Sequence, residues 1–199
     1  MSAPTLRLFL RSIRTSAALW RAGRLRRDHD QVGLTIEFDD GTSSVVYRRT
    51  IVDDGVADRP ALLVVRFRLR LVGRNPVAHA VFRSESILHT PLFAGFAGFR
   101  SKLWLTDLST GVYRGVYEWD GEERAAEYAT TLGRLLDAVS TTGSVAHHVE
   151  PGVRPAQVLA EPDRLPRAAD PADAWWRFRL APVPAPGADP RDDPPHRAS

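Results

Sequence analysis

The residues of this chain best suited to chemistry are histidines and aromatic side chains. His79 and His89 lie ten residues apart, with Ser84, Ser86 and Thr90 nearby. Either imidazole could move a proton near neutral pH. On a regular helix that spacing does not place them face to face, and Pro91 disturbs the geometry further. Tyr113, Tyr117 and Trp119 alternate with Gly115 along one extended run, so they share one face, and Trp104 stands on the preceding run. Such a group could stack a planar aromatic or quinol substrate, with a phenol or indole polar atom to orient it. Phe96 and Tyr128 are the other candidates for that lining. The candidate catalytic residues are therefore His89, His79 and Tyr113. The candidate substrate-binding residues are Trp104, Tyr117, Trp119, Phe96 and Tyr128. The competing reading is an aromatic core that is simply full.

Several chemistries are disfavoured. Cysteine is absent, which removes thiol nucleophiles, thiolate metal sites and redox switching. His147 and His148 alternate across a strand and cannot chelate jointly, and no HxH or HExxH pattern occurs, so no metal is expected. No dinucleotide loop, phosphate loop or nucleophile elbow is present, so no cofactor is expected.

The elements that must position these residues follow from periodicity. Residues 1–30 form a basic amphipathic helix, with Leu6, Phe9, Leu10, Ile13, Ala17 and Trp20 on one face and Arg7, Arg11, Arg14 and Arg21 on another. It docks on its own domain or a partner subunit, or lies on an anionic membrane surface. Residues 31–60 read as a β-hairpin, with Asp39 to Thr42 as its turn. Ala61 to Val72 alternates Leu63, Val65, Phe67, Leu69 and Leu71 against Arg66, Arg68 and Arg70, whose face looks to water, acidic partners or a second subunit. A helix from Asn75-Pro76 to Leu88 follows, then strands at 99–106 and 112–119. Asp120 and Glu123 match a capping box opening a helix with Ala125, Tyr128, Ala129, Leu132, Leu135, Leu136 and Val139 on one face. Residues 144–150 make a last strand. The order β, α, β, β, α, β is the split βαβ pattern, so 61–152 is expected to be a ferredoxin-like α+β domain. Residues 153–199 are a Pro-rich tail in which only Ala174 to Leu180 is apolar enough to dock, as an extended arm.

The runs Ala94 to Leu105 (AGFAGFRSKLWL), Asp107 to Gly111, Val112 to Asp120 (VYRGVYEWD) and Glu123 to Tyr128 (ERAAEY) resemble the YdhR-like monooxygenases and, more loosely, the antibiotic-biosynthesis monooxygenases. Ala97 stands where that family often has proline. The resemblance covers about half of the chain. It implies a dimeric α+β barrel, a homodimer, a hydrophobic small-molecule substrate of secondary metabolism and cofactor-independent oxygenation. Related barrels also act as cyclases or isomerases.

The bulk numbers fit a single domain with extensions. The chain has 199 residues, 43% hydrophobic and 26% charged, with formal net charge +3. Its bases are arginines apart from Lys102, the pattern of a high-GC bacterial genome. Arginines and acids interleave, which disfavours nucleic acid. No apolar run is long enough to span a bilayer, and the N-terminus is a poor signal peptide, so a cytoplasmic protein, peripheral to a membrane at most, is expected. The alternative to an enzyme is a non-catalytic binding or scaffold protein docked through the N-terminal helix.

Overall fold

The computed structural model describes residues 3–53, 55–70 and 93–182. The expected helix at 76–88, and His79 and His89 with it, lie outside the described residues.

Helix α1 (Ala3–Arg21) opens the chain. Seven antiparallel strand pairings then build one sheet from β1 (Leu25–Asp28), β2 (Thr35–Phe38), β3 (Ser43–Val52), β4 (Pro60–Arg68), β5 (Phe99–Asp107), β6 (Val112–Asp120), β7 (Ala146–Pro151) and β8 (Phe178–Leu180). The spatial order is β7-β4-β6-β5-β3-β2-β8, with β1 also on β3. The first four are the order a split βαβ produces, with α2 (Glu122–Val139) crossing from β6 to β7. The class is α+β. The hairpin β2–β3 continues the same sheet past β5 instead of standing apart.

Ala61 to Val65 are consecutive and all buried, because both faces of the sheet are covered. On one face Leu63, Val65, Tyr117 and Trp119 pack under α2 through Ala125, Tyr128, Ala129 and Leu136. On the other, Leu62, Val64, Leu103, Leu105 and Val116 lie under Val158, Leu165, Trp175, Trp176 and Phe178. Residues 153–180 carry those covering side chains on helix α3 (Pro155–Ala160), two 3-10 turns and β8. This face, expected to meet water or a second subunit, is therefore occupied by the chain's own C-terminal segment. Arg66 lies 4.8 Å over the Trp175 ring, and Arg114 is buried against Phe38, Ser44 and Asp40.

Two local expectations change. Helix α2 has Gly121 at its N-cap, with φ 110° and no side-chain cap. Asp120 instead accepts from the Arg59 amide at 3.0 Å and the Arg100 guanidinium at 3.1 Å, which ties β6 to the chain entering β4. The basic N-terminal helix stops at Arg21, and Leu25–Asp28 turns extended to pair with Val52–Arg49.

Candidate functional site, an aromatic box around the single lysine

Strand register builds the site. On β5, Lys102 stands opposite Tyr117 of β6 on one side and Thr50 of β3 on the other. Two residues on, Trp104 stands opposite Gly115 and Arg48. Side chains two apart share a face, so Lys102, Trp104 and Tyr117 meet on the α2 side of the sheet. The turn before β5 adds Phe93, whose ring meets Trp104 edge-on at 5.3 Å. The Lys102 Nζ then sits 3.1 Å from the Trp104 ring centroid and 4.7 Å from those of Phe93 and Tyr117.

This amine is 7% exposed. Burial pushes it well below the ordinary lysine value of 10.5, and the neighbouring Arg48 guanidinium pushes the same way. Three ring faces attract a cation by roughly 0.5–2 kcal/mol each at best. Desolvating a buried ammonium costs several kcal/mol. The rings and the burial act in opposite directions, and burial is the larger cause of the downward shift. Arg48 is also buried, and its guanidinium carbon lies 4.2 Å over Trp104. Desolvation brings it down to about 10, so it stays charged at neutral pH. Lys102, with its lowered basicity, and the charged Arg48 thus share one ring.

The rings are held in place. Trp104 Nε1–H donates to the buried Thr50 hydroxyl at 3.1 Å. Tyr117 is hydrogen-bonded to Tyr128, and burial raises both phenols well above 10, so neither ionises near neutrality. Gly115 makes room for this arrangement: a Cβ there would stand 2.5 Å from Cε2 of Tyr117. Tyr128 also meets Trp119 at 4.9 Å and Phe96 at 5.3 Å. Trp119 Nε1 is buried without a hydrogen-bond partner.

Five of the expected residues, Trp104, Tyr117, Trp119, Phe96 and Tyr128, therefore fall into one connected cluster. The Tyr113 ring stacks on Phe67 at 5.7 Å, farther along β6. Lys102, Arg48, Thr50 and Phe93 are new members. The signal for Lys102 was its singularity among many arginines.

A cleft of about 400 Å³ opens between α1, α2 and residues 94–99, with Leu19, Arg124 and Glu127 on its walls. Its lining includes Phe96 and Phe99, the outer rings of the cluster. A second cavity of about 290 Å³, lined by Asp40, Arg66, Arg68 and Arg114, lies away from the lysine. Among the described residues no group of His, Asp and Glu is arranged to hold a metal ion. His148 instead stacks on Trp176 at 3.6 Å and contacts Glu150 at 3.2 Å. No helix among the described residues is long and apolar enough to cross a membrane.

No protein-family model matches the chain, and no curated protein matches it. Solved structures similar to parts of it include the following three. One is an uncharacterized ferredoxin-fold protein related to antibiotic biosynthesis monooxygenases, from Listeria monocytogenes 4b F2365. It is 14% identical with a TM-score of 0.37, over 57% of this chain and 66% of that one. A monooxygenase-like protein from Listeria innocua is 18% identical with a TM-score of 0.37, over 55% and 63%. An anthrone oxidase-like protein is 15% identical with a TM-score of 0.28, over 60% and 54%. The chain thus spans less than two thirds of the length of each. Its α+β class rests on its own strand order.

Proposed function

We propose that the protein is a small-molecule tailoring enzyme carrying out cofactor-independent, monooxygenase-like chemistry on a planar aromatic substrate with an ionisable hydroxyl, a phenol or hydroquinone. One observation carries this reading: Lys102 is buried among Phe93, Trp104 and Tyr117 with Arg48 beside it. A neutral amine in that position takes the substrate hydroxyl proton, a step worth about 10²–10⁴-fold. The phenolate that forms lies between the new ammonium and Arg48, in a site with little water to screen them. The substrate supplies all four electrons that O₂ takes: one oxygen atom enters the ring, the other leaves as water with two substrate hydrogens, and the product is the quinone (a hydroxyquinone from a hydroquinone). The cleft bordered by Phe96 and Phe99 is the entrance toward Trp104 and Tyr117.

A homodimer and a role in secondary metabolism belong to the same reading. Such a dimer uses a surface other than the sheet face covered by residues 153–180.

The test uses a panel of naphthols and hydroquinones, following phenolate absorbance under nitrogen and oxygen uptake in air. Wild-type protein should form the bound phenolate below the substrate's own solution pKa, and oxygen uptake should rise as pH climbs through the lowered Lys102 value. Lys102→Met should lose both while still folding. Equal phenolate formation by Lys102→Met and wild type would remove the proposal.

A further inference from the structure

Helix α1 is attached to the domain through its small polar residues, not through its apolar stripe. It faces the domain with Ser12 and Ser16, both buried, and with Leu19, which packs on the core beneath α2. The approach is close: a Cβ on Gly95 would stand 2.0 Å from the Ser12 carbonyl oxygen. The apolar stripe is left outside. Leu10 is 51% exposed, Ile13 38% and Trp20 73%, and Ala17 lies between them on the same face. From Leu10 to Trp20 the stripe runs roughly 15 Å along the helix. The exposed guanidinium groups of Arg11, Arg14 and Arg21 follow one of its edges. No carboxylate occurs in the sequence before Asp28.

We propose that α1 docks this protein on an anionic phospholipid surface, with Leu10, Ile13, Ala17 and Trp20 entering the interfacial layer and Arg11, Arg14 and Arg21 meeting the headgroups. The chemistry selects lipid over a second copy of the helix. Two copies pairing by this stripe would bring arginine against arginine, and residues 3–27 supply no acid to offset them. An anionic bilayer offers both the apolar layer and the negative charge that the stripe lacks. A tryptophan at the end of such a stripe suits the level where hydrocarbon meets headgroup. The helix is too polar on its inner face to leave the domain and cross the membrane, so it lies flat with the domain above it. This inference stands on the surface of α1 alone and does not depend on the chemistry at Lys102.

The experiment mixes the full chain with phosphatidylcholine vesicles and with phosphatidylcholine–phosphatidylglycerol vesicles, and reads cosedimentation and tryptophan emission. Trp104, Trp119, Trp175 and Trp176 are already buried, so Trp20 reports contact with lipid. Binding should occur on the anionic vesicles only, with a blue shift, and should weaken as salt is added. Trp20→Phe should still sediment but lose the shift. Replacing Arg14 or Arg21 by alanine should weaken binding by about fivefold each. Ile13→Glu with Trp20→Glu should abolish binding while circular dichroism stays unchanged. Failure to sediment, or equal sedimentation on both vesicle types, overturns the proposal. So does a dimer in solution that this double variant dissociates, without vesicle binding; that result assigns the stripe to a second copy.

Discussion

Lys102 sets the chemistry at the scale of the residue, and its cost can be measured. The unfolded chain protonates this amine with the ordinary value of 10.5, whereas the folded protein holds it well below. Between those two values the unfolded state binds the extra proton, so stability should rise with pH across that window. As pH falls the loss runs from 10.5 down to the lowered folded value and levels off below it, where both states carry the proton. Lys102→Met keeps the volume and removes the charge. It should gain on the order of 1 kcal/mol at neutral pH and lose the upward slope of stability toward pH 10. Urea unfolding across a pH series decides this, and identical slopes for the two proteins would contradict it. A residue that costs stability where methionine would not is one whose presence calls for a functional reason, which is why it anchors the proposed mechanism.

Helices and strands here show how small residues decide which elements touch. Gly95 is the contact point of α1, and its missing side chain lets the Ser12 carbonyl come close. Gly95→Ala should lift α1 from the domain. The expected result is faster amide exchange over α1, with β4 to β6 protected as before, and a loss of about 1–3 kcal/mol as for other overpacked contacts. Unchanged exchange over α1 would mean that the contact bears no weight. The same principle applies at Gly115, whose bare backbone lets the Tyr117 ring lie across β6 beside Trp104. Asp120 illustrates a different kind of competition. It has the type and spacing of a helix cap, but the Arg59 amide and Arg100 guanidinium claim both of its oxygens, and the glycine after it takes the N-cap position.

Over the whole molecule, the C-terminal segment completes the fold. Trp175, Trp176, Phe178, Val158 and Leu165 cover the face of the sheet opposite α2, and each buried apolar side chain of that size contributes roughly 1.5–3 kcal/mol. Arg177 fastens the segment through the carbonyls of Leu165 and Pro166 and the carboxylate of Asp39. β8 closes the β2 edge. A chain ending at residue 152 should therefore expose Leu62, Val64, Leu103 and Leu105, bind a hydrophobic dye and self-associate on a sizing column. A truncated chain that remains monomeric with an unchanged unfolding midpoint would show that this cover is dispensable.

Periodicity within one stretch of chain was enough to expect strands at 61–72, 99–106 and 112–119, which stand at Pro60–Arg68, Phe99–Asp107 and Val112–Asp120, helix α2 with its Ala125–Tyr128–Ala129 face, and the aromatic run near 174–180 as a piece that must dock. It also showed that Trp104, Tyr117 and Trp119 could act together, because alternation assigns faces along a strand. Periodicity says nothing about which strand lies beside which, or in what register. The tertiary structure alone put Thr50, Lys102 and Tyr117 side by side and turned a solitary lysine into the centre of an aromatic box. It alone chose the serine face of α1 for docking, since that choice depended on a glycine more than eighty residues away. Side-chain pattern is a local property of sequence; burial and pairing are settled by contacts between distant segments.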